Sequence, residues 1–322
     1  MKAAVYDRTG PPDVFRYADV ADPSCAPAGV VIDVAAISIE GGDTLHRLRG
    51  EMAERPHVVG YQCAGVISEV GADVTDREVG QRVVCVGLHG SHAERRAVPA
   101  AATWPVPEGL DFLRAACVPI AVGTADDCLF EFGHLAAGET VLVHAGAGGL
   151  GMAAIQLAKR AGATVIATAS SKERLERLEP LGLDHGVDYV AEDFVARARE
   201  LTGGRGPDLV VDPVGGRTLE GSIACAAYRG RIVTVGDAGR GDRPPDLSAL
   251  RPANRSLTGV FLGAELAIHP GRVHPMIQGH LRDLAEGRLE IVVDRTYPLA
   301  EAAAAHAYIE SRRAFGRVVL IP

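Results

Sequence analysis

Between Thr140 and Val235 the chain alternates short apolar runs with longer amphipathic ones. Val141-Leu142-Val143, Thr164-Val165-Ile166-Ala167, Asp208-Leu209-Val210-Val211-Asp212 and Arg231-Ile232-Val233-Thr234-Val235 read as buried strands. The segments between them read as helices, one from about Gly149 to Arg160 and another from Lys172 onward. Strands alternating with helices predict a parallel sheet with right-handed crossovers, and so an α/β fold. The first third has a different rhythm. Val30–Ile37, Ala64–Val70 and Arg82–Val86 are short strands separated by Gly, Pro and Asp, the pattern of a small barrel or sandwich. The rhythm changes near Pro119 and again after about Arg255, and the final run Arg317–Ile321 returns to the first body. The expected division is 1–120, 121–257 and 258–322, with the outer two segments forming one domain.

Composition narrows the classes. The 322 residues suffice for two domains, and 47% hydrophobic with 23% charged residues is an ordinary globular balance. A net charge of −8 without any long basic stretch argues against nucleic acid as a partner. The start, Met1-Lys2-Ala3-Ala4-Val5-Tyr6, enters a strand directly and has no signal-like apolar segment. The long uncharged run from Thr140 to Ala158 contains four glycines, a His and a Gln, so it reads as strand, turn and helix, not as a membrane span. Cys25, Cys63, Cys85, Cys117, Cys128 and Cys225 form no C-x-x-C pair, which suits buried, reduced thiols in a cytoplasmic protein.

The sharpest local signal is His144-Ala145-Gly146-Ala147-Gly148-Gly149-Leu150-Gly151. Gly146, Gly148 and Gly151 make G-x-G-x-x-G directly after a strand and at the start of a helix. A tight turn needs a residue free to take positive φ, and close approach of backbone to a pyrophosphate needs missing Cβ atoms. The helix N-terminus then offers N–H groups to the anion. A glycine-rich turn without a ligand is the bland alternative, but the strand–turn–helix context favours a dinucleotide.

Dinucleotide-binding folds that take NAD place an acid after the second strand, to hold the ribose 2′-hydroxyl. Here Thr164–Ala169 is followed by Ser170-Ser171-Lys172-Glu173-Arg174, hydroxyls and cations with no acid at the strand end. That set suits a 2′-phosphate and predicts NADPH. The same stretch also reads as a capping box, Ser170-x-x-Glu173, with Lys172 and Arg174 on a solvated helix face. Both readings can hold together.

With these features in place, the chain resembles the quinone oxidoreductase (zeta-crystallin-like) branch of the medium-chain dehydrogenase/reductase superfamily. The likeness runs through Met1-Lys2-Ala3, Asp43 to Gly50, Val59-Gly60 to Val66, Val70-Gly71 and Val79-Gly80-Gln81-Arg82-Val83. It continues through Pro107-Glu108-Gly109, Val122-Gly123-Thr124-Ala125, Gln156-Leu157-Ala158-Lys159 and Phe315-Gly316-Arg317-Val318-Val319-Leu320. It implies a GroES-like β-barrel built from both chain ends, a Rossmann domain between them, a homodimer, and a cofactor lying between the domains. It also implies cofactor-binding roles for Thr124, for the turn Gly146, Ala147, Gly148, Gly149, Leu150 and Gly151, and for Ser170, Arg174 and Tyr189 around the 2′-phosphate. Val235, Gly236 and Asp237 would pass near the nicotinamide ribose, Phe261, Leu262 and Gly263 would line the nicotinamide and substrate pocket, and Arg317 falls in a closing motif near the cofactor. A core aromatic at a strand end is the other reading of Tyr189.

Zinc dehydrogenases of the superfamily use a Cys near the end of an early strand and a Gly-His-Glu. Here the first region reads Ser38-Ile39-Glu40-Gly41-Gly42-Asp43 and the second Gly60-Tyr61-Gln62-Cys63. No three-ligand zinc set is present, and His89 and His92 fall in a loop where histidines usually bind nothing. Without a Lewis acid, reduction of a quinone or an α,β-unsaturated carbonyl compound is the feasible chemistry, because the acceptor's own carbonyl delocalises the incoming charge. Two residues are candidates for catalysis. Tyr61 could hydrogen-bond a developing enolate oxygen or serve as an apolar wall. Glu40 stands where relatives have Asn, and could act as an acid if burial raised its pKa, or turn outward. The competing functions are an enoyl reductase for a thioester or biosynthetic intermediate, and a non-catalytic NADPH- or nucleic-acid-binding relative.

Overall fold

The computed structural model describes residues 1–241 and 243–322. Two compact units emerge, Met1–Ala121 with Leu266–Pro322, and Val122–Glu265. The second boundary falls later than the expected 257/258, because Ser256–Gly259 is still a strand of the second unit's sheet.

The first unit opens with β1 (Lys2–Tyr6), β2 (Arg16–Asp19), β3 (Gly29–Ser38), β4 (His57–Val58), β5 (Gln62–Val70), β6 (Arg82–Val86), β7 (Arg95–Pro99) and β8 (Thr103–Pro105). Helix α1 (Gly41–Arg49) links β3 to β4, and α2 (Phe112–Ala115) and α3 (Val118–Asp126) follow β8. Among the described residues, β2, β1 and β4 form a small antiparallel sheet. A larger sheet runs through β3, β5, β6 and β8, with β7 also paired to β3. Ile32, Ile37, Ile67, Val83 and Leu320 fill its core. The strand period of two decides which side chains enter it. In β7, Arg95 and Ala97 look toward water while Arg96 and Val98 point inward, so an arginine is delivered into the interior.

The second unit carries β9 (Thr140–Val143), α4 (Gly149–Arg160), β10 (Thr164–Ala169), α5 (Lys172–Glu176), β11 (His185–Asp188), α6 (Phe194–Leu201), β12 (Leu209–Asp212), α7 (Gly216–Cys225), β13 (Arg231–Thr234) and β14 (Ser256–Gly259). All pairings are parallel, in the spatial order β11-β10-β9-β12-β13-β14. That is the doubly wound order of a Rossmann sheet, whose crevice opens at the carboxyl ends where the order reverses, between β9 and β12. β9 is buried throughout, and so are the interior residues of β10, as strands covered on both faces require. Helix α4 buries Gly151 through Ala158 and ends on Lys159 and Arg160, cations suited to a helix C-terminus.

After α8 (Leu262–Ile268) and α9 (Pro270–Ala285), the chain adds β15 (Val293–Pro298), α10 (Ala302–Glu310) and β16 (Arg317–Ile321) to the first unit. β16 pairs with β15 on one side and with Ile37 and Ser38 of β3 on the other. The chain's last strand therefore carries Arg317 to the end of β3. Among the described residues no helix is long and apolar enough to cross a membrane.

Candidate functional site

In the second unit the residues expected to hold a nucleotide, Thr124 apart, follow directly on strand carboxyl ends. The turn after β9 is tied to β10. Ala145 N–H donates to the Thr168 hydroxyl (3.3 Å) and Gly146 N–H to the Thr168 carbonyl (2.8 Å). The Thr168 hydroxyl also meets His144 Nδ1 at 3.1 Å. Buried His144 packs edge-on to Phe194, with ring centroids 4.7 Å apart.

The tether corrects one detail of the sequence reading. The residue at positive φ is Ala145 (φ 52°), not a glycine of the motif. The glycines serve proximity instead. A Cβ on Gly151 would lie 2.4 Å from the Ala145 carbonyl oxygen and 2.7 Å from Gly146 Cα, and a Cβ on Gly146 would lie 3.0 Å from Ala167 Cβ. Turn, helix and strand thus approach to backbone contact, and the first turn of α4 has N–H groups without intrahelical partners. This cradle fits a pyrophosphate. Because an L-residue in the left-handed region costs about 1–2 kcal/mol, while the freedom glycine loses on folding costs about 0.5–1 kcal/mol, Ala145→Gly is expected to stabilise the protein slightly. A rise in the thermal midpoint checks it.

Ser170 and Tyr189 stand next to each other at the ends of β10 and β11, where Ala169 pairs with Asp188 and Tyr189 N–H donates to the Ala169 carbonyl (3.1 Å). Tyr189 is 47% exposed, which overturns the buried-core reading. The helix cap is Ser171, whose hydroxyl accepts from Arg174 N–H (3.3 Å), and not Ser170. Ser170 is therefore released from capping; it is half-buried at the strand end, and Arg174 is half-buried in α5. No acid follows β10 directly, and Glu173, between Ser170 and Arg174 in sequence, is exposed on α5, so the set fits a 2′-phosphate.

Past β13, Gly236 adopts φ 132° and a Cβ on the facing Gly215 (φ 74°) would lie 3.2 Å from Asp237 Oδ1. Phe261 is 66% exposed and its ring covers Gly263, where a Cβ would lie 2.7 Å from Cζ. Thr124 is buried within α3. Sequence reasoning missed Asp212. Fully buried at the end of β12, it accepts from Val214 N–H (2.8 Å), Gly215 N–H (2.9 Å) and the Ser222 hydroxyl (2.7 Å), and so fixes the loop beside Asp237. Its signal was an acid ending a strand just before Gly215-Gly216.

In the first unit, β16 and β3 bring two flagged residues together. Arg317 is buried and forms an ion pair with Glu40, itself buried. The guanidinium also donates to the Ser38 hydroxyl (2.6 Å) and the Ile39 carbonyl (2.9 Å). Gln62 donates its amide to Glu40 Oε1, while its own Oε1 accepts from Ile120 N–H (2.9 Å). Of the orientations open to Glu40, the carboxylate takes the inward one. Burial pushes its pKa up, against the pull of Arg317 and the bonds from Gln62 and Ser38.

Asp43 is fully buried in the first turn of α1 and accepts from Glu40 N–H (2.8 Å). Burial, with the Glu40 carboxylate beside it, pushes its pKa up to about 8. The Tyr61 ring lies on Gly42, where a Cβ would sit 2.5 Å from the ring edge and 3.0 Å from the hydroxyl. Burial and the Asp43 and Glu40 carboxylates push that phenol up to about 12, so it stays a hydrogen-bond donor at neutral pH. Arg96 donates to the Tyr61 carbonyl (3.0 Å) and fixes this segment from below. His92 lies in the expected loop between β6 and β7 but is fully buried, with Nε2 3.0 Å from Nε2 of His306. Cys25 is only half-buried, whereas the other five cysteines are buried; all six are free.

These residues do not fit a catalytic zinc. The positions where zinc dehydrogenases carry ligands hold Glu40 and Gln62 bonded to one another, and a guanidinium occupies the neighbouring space. Among the described residues no group of three His, Cys, Asp or Glu could hold a metal ion.

The chain matches two family profiles, one described as alcohol dehydrogenase GroES-like domain over residues 26–108 and one as zinc-binding dehydrogenase over residues 149–279. It is 34% identical to a 2-haloacrylate reductase of a Burkholderia species, over 100% of this chain and 99% of that protein. It is 33% identical to a quinone oxidoreductase of Pseudomonas aeruginosa, over 97% of each. The Escherichia coli quinone oxidoreductase solved with NADPH superposes with a TM-score of 0.94 at 27% identity, over 100% of both chains. With barrel, Rossmann sheet and glycine turn in place, the chain belongs to the medium-chain dehydrogenase/reductase superfamily, in its quinone oxidoreductase branch.

Proposed function

We propose that this protein is an NADPH-dependent reductase that delivers hydride to a quinone or a small α,β-unsaturated carbonyl compound without zinc. The observation that carries the reading is Ser170 at the end of β10 with Arg174 close after it, a hydroxyl and a cation with no acid at the strand end itself, beside a turn that admits backbone contact with a pyrophosphate. The two full-length relatives, one named for reduction of a 2-haloacrylate and one for a quinone, support both acceptor classes.

NADPH, when bound, supplies the hydride. The chain's own residues divide the remaining work. Gly146, Ala147, Gly148, Gly149, Leu150 and Gly151 hold the pyrophosphate at the N-terminus of α4. Ser170, Arg174 and Tyr189 hold the 2′-phosphate. Thr124, Val235, Gly236, Asp237, Phe261 and Gly263 complete the nucleotide site. Tyr61, a phenol kept protonated and held on Gly42, donates a hydrogen bond to the oxygen on which charge develops. Glu40 and Arg317 shape the floor of this region by holding each other. A homodimer is part of the proposal, and sedimentation at micromolar concentration checks it.

The cofactor assignment has a direct test. A charge-assisted bond is worth about 1.5–3 kcal/mol, so Arg174→Ala is expected to raise KM for NADPH about 10- to 100-fold. KM for NADH should stay within about twofold, because NADH lacks the phosphate. An equal rise for both cofactors would remove Arg174 from the 2′-phosphate site.

A further inference from the structure

The interior of the first unit holds a run of polar groups to which the described residues supply no hydrogen-bond partner. Asp43 Oδ1, Tyr6 Oη, and both ring nitrogens of His57 are buried and unbonded, on residues that are themselves 0% exposed. Buried polar atoms without partners are rare, and a contiguous series of them is a place for bound water. Its members act on one another: the Asp43 carboxyl acts electrostatically on the Tyr6 phenol, and ring contacts extend the series outward. Tyr6 pairs with His57 across β1 and β4, their ring centroids 5.2 Å apart. His57 in turn lies 5.2 Å from the ring of His46 and 5.5 Å from that of His89. His46 is half-buried and His89 exposed, so the run reaches water. At its inner end, Asp43 adjoins Gly42, on which the Tyr61 ring rests.

We infer that a buried, water-filled proton path runs from His46 and His89 through His57 and Tyr6 to Asp43, and supplies the proton that the reduction consumes. The inference rests on the reductase reading above. Each turnover adds one hydride and one proton to the acceptor, and the hydride comes from NADPH. The proton leaves Asp43 toward Tyr61 and the acceptor oxygen, and the Asp43 carboxylate is then reprotonated from solvent along the path. No oxidant or further reductant is needed.

The protonation states suit a relay, in which each member must both donate and accept. Burial holds the Asp43 carboxyl at about 8 and the His57 imidazole down at about 4, and raises the Tyr6 phenol above its ordinary value. All three are therefore neutral at pH 7. The charges facing them are Glu40, Arg317 and Arg96 at Asp43, Arg47 and Asp43 at Tyr6, and the His46 and His89 imidazoles at His57. The Arg47 guanidinium is itself paired with Glu310.

Two measurements test the path. A high-resolution crystal structure of the wild-type protein is expected to show ordered waters bonded to Asp43 Oδ1, Tyr6 Oη and a His57 ring nitrogen; a dry run overturns the path whether or not the protein turns over. Tyr6→Phe removes one hydroxyl and leaves the ring packing intact. It is expected to lower kcat about tenfold, enlarge the solvent deuterium isotope effect, leave KM for NADPH unchanged, and regain part of its rate in imidazole buffer. Unchanged kcat and isotope effect would overturn the path. So would a lower kcat without change in isotope effect or rescue, the mark of a merely structural role. If the wild type reduces no acceptor, the reductase reading fails, and the crystal structure still decides whether the path exists.

Discussion

Arg317→Met is expected to destabilise the protein by about 3–5 kcal/mol, the cost of leaving a buried charge without its partner. Glu40 would keep its burial and its bonds from Gln62 and Ser38 but lose the guanidinium. Replacing both partners should cost far less than replacing one, so Glu40→Gln in the Arg317→Met background is expected to recover more than half of the loss. The double-mutant cycle in urea measures this coupling, and a coupling below about 0.5 kcal/mol, the limit for independent sites, would mean that the pair does not act as one. The pH dependence has a definite sign. Without Arg317, burial alone holds the Glu40 carboxyl up, so the folded variant keeps a proton that the unfolded chain releases above its ordinary value near 4.3. Stability then falls as pH rises. The deficit of Arg317→Met relative to wild type should therefore be larger at pH 8 than at pH 5.

Gly151→Ala is expected to lower kcat/KM for NADPH about 100-fold, the scale of a misplacement near 1 Å in a site that depends on positioning. The added Cβ would meet backbone atoms, the Ala145 carbonyl oxygen at 2.4 Å and Gly146 Cα at 2.7 Å, so no side-chain rotation can relieve it. The turn and α4 must separate, which spoils the array of N–H groups that faces the pyrophosphate. Overpacking also costs about 1–3 kcal/mol of stability. Steady-state kinetics, with a melting curve to show that the variant is folded, separates the two effects. Unaltered kinetics in a folded variant would move the pyrophosphate away from this turn.

The parts of this molecule that were legible in sequence are those set by local pattern. The apolar runs of β9, β10, β12 and β13 and the glycine turn before α4 follow from periodicity and composition within a few residues. Details that depend on partners elsewhere in the chain were not. The positive φ at Ala145 follows from its tether to Thr168, and no feature of the glycine spacing points to that residue. Adjacent serines offer two caps, and only the backbone after β10 selects Ser171. β14 looked like the start of the return segment because Ser256–Gly259 is short and weakly apolar, and its pairing with β13 assigns it to the Rossmann sheet. The Arg317–Glu40 pair joins residues 277 positions apart through strand pairing that no local signal encodes. Arg96 enters the interior only because β7 starts in the register it does.

The central claim is zinc-independent reduction with NADPH, and the most direct measurement is NADPH consumption followed at the absorbance of the reduced nicotinamide. The acceptors are quinones, small enones, a 2-haloacrylate and enoyl thioesters, each also run with NADH and with a strong chelator. The account predicts turnover with a quinone or a small unsaturated carbonyl compound, preference for NADPH, and no loss of rate in chelator. Loss of activity in chelator, preference for NADH, or binding of NADPH without reduction of any acceptor would contradict it.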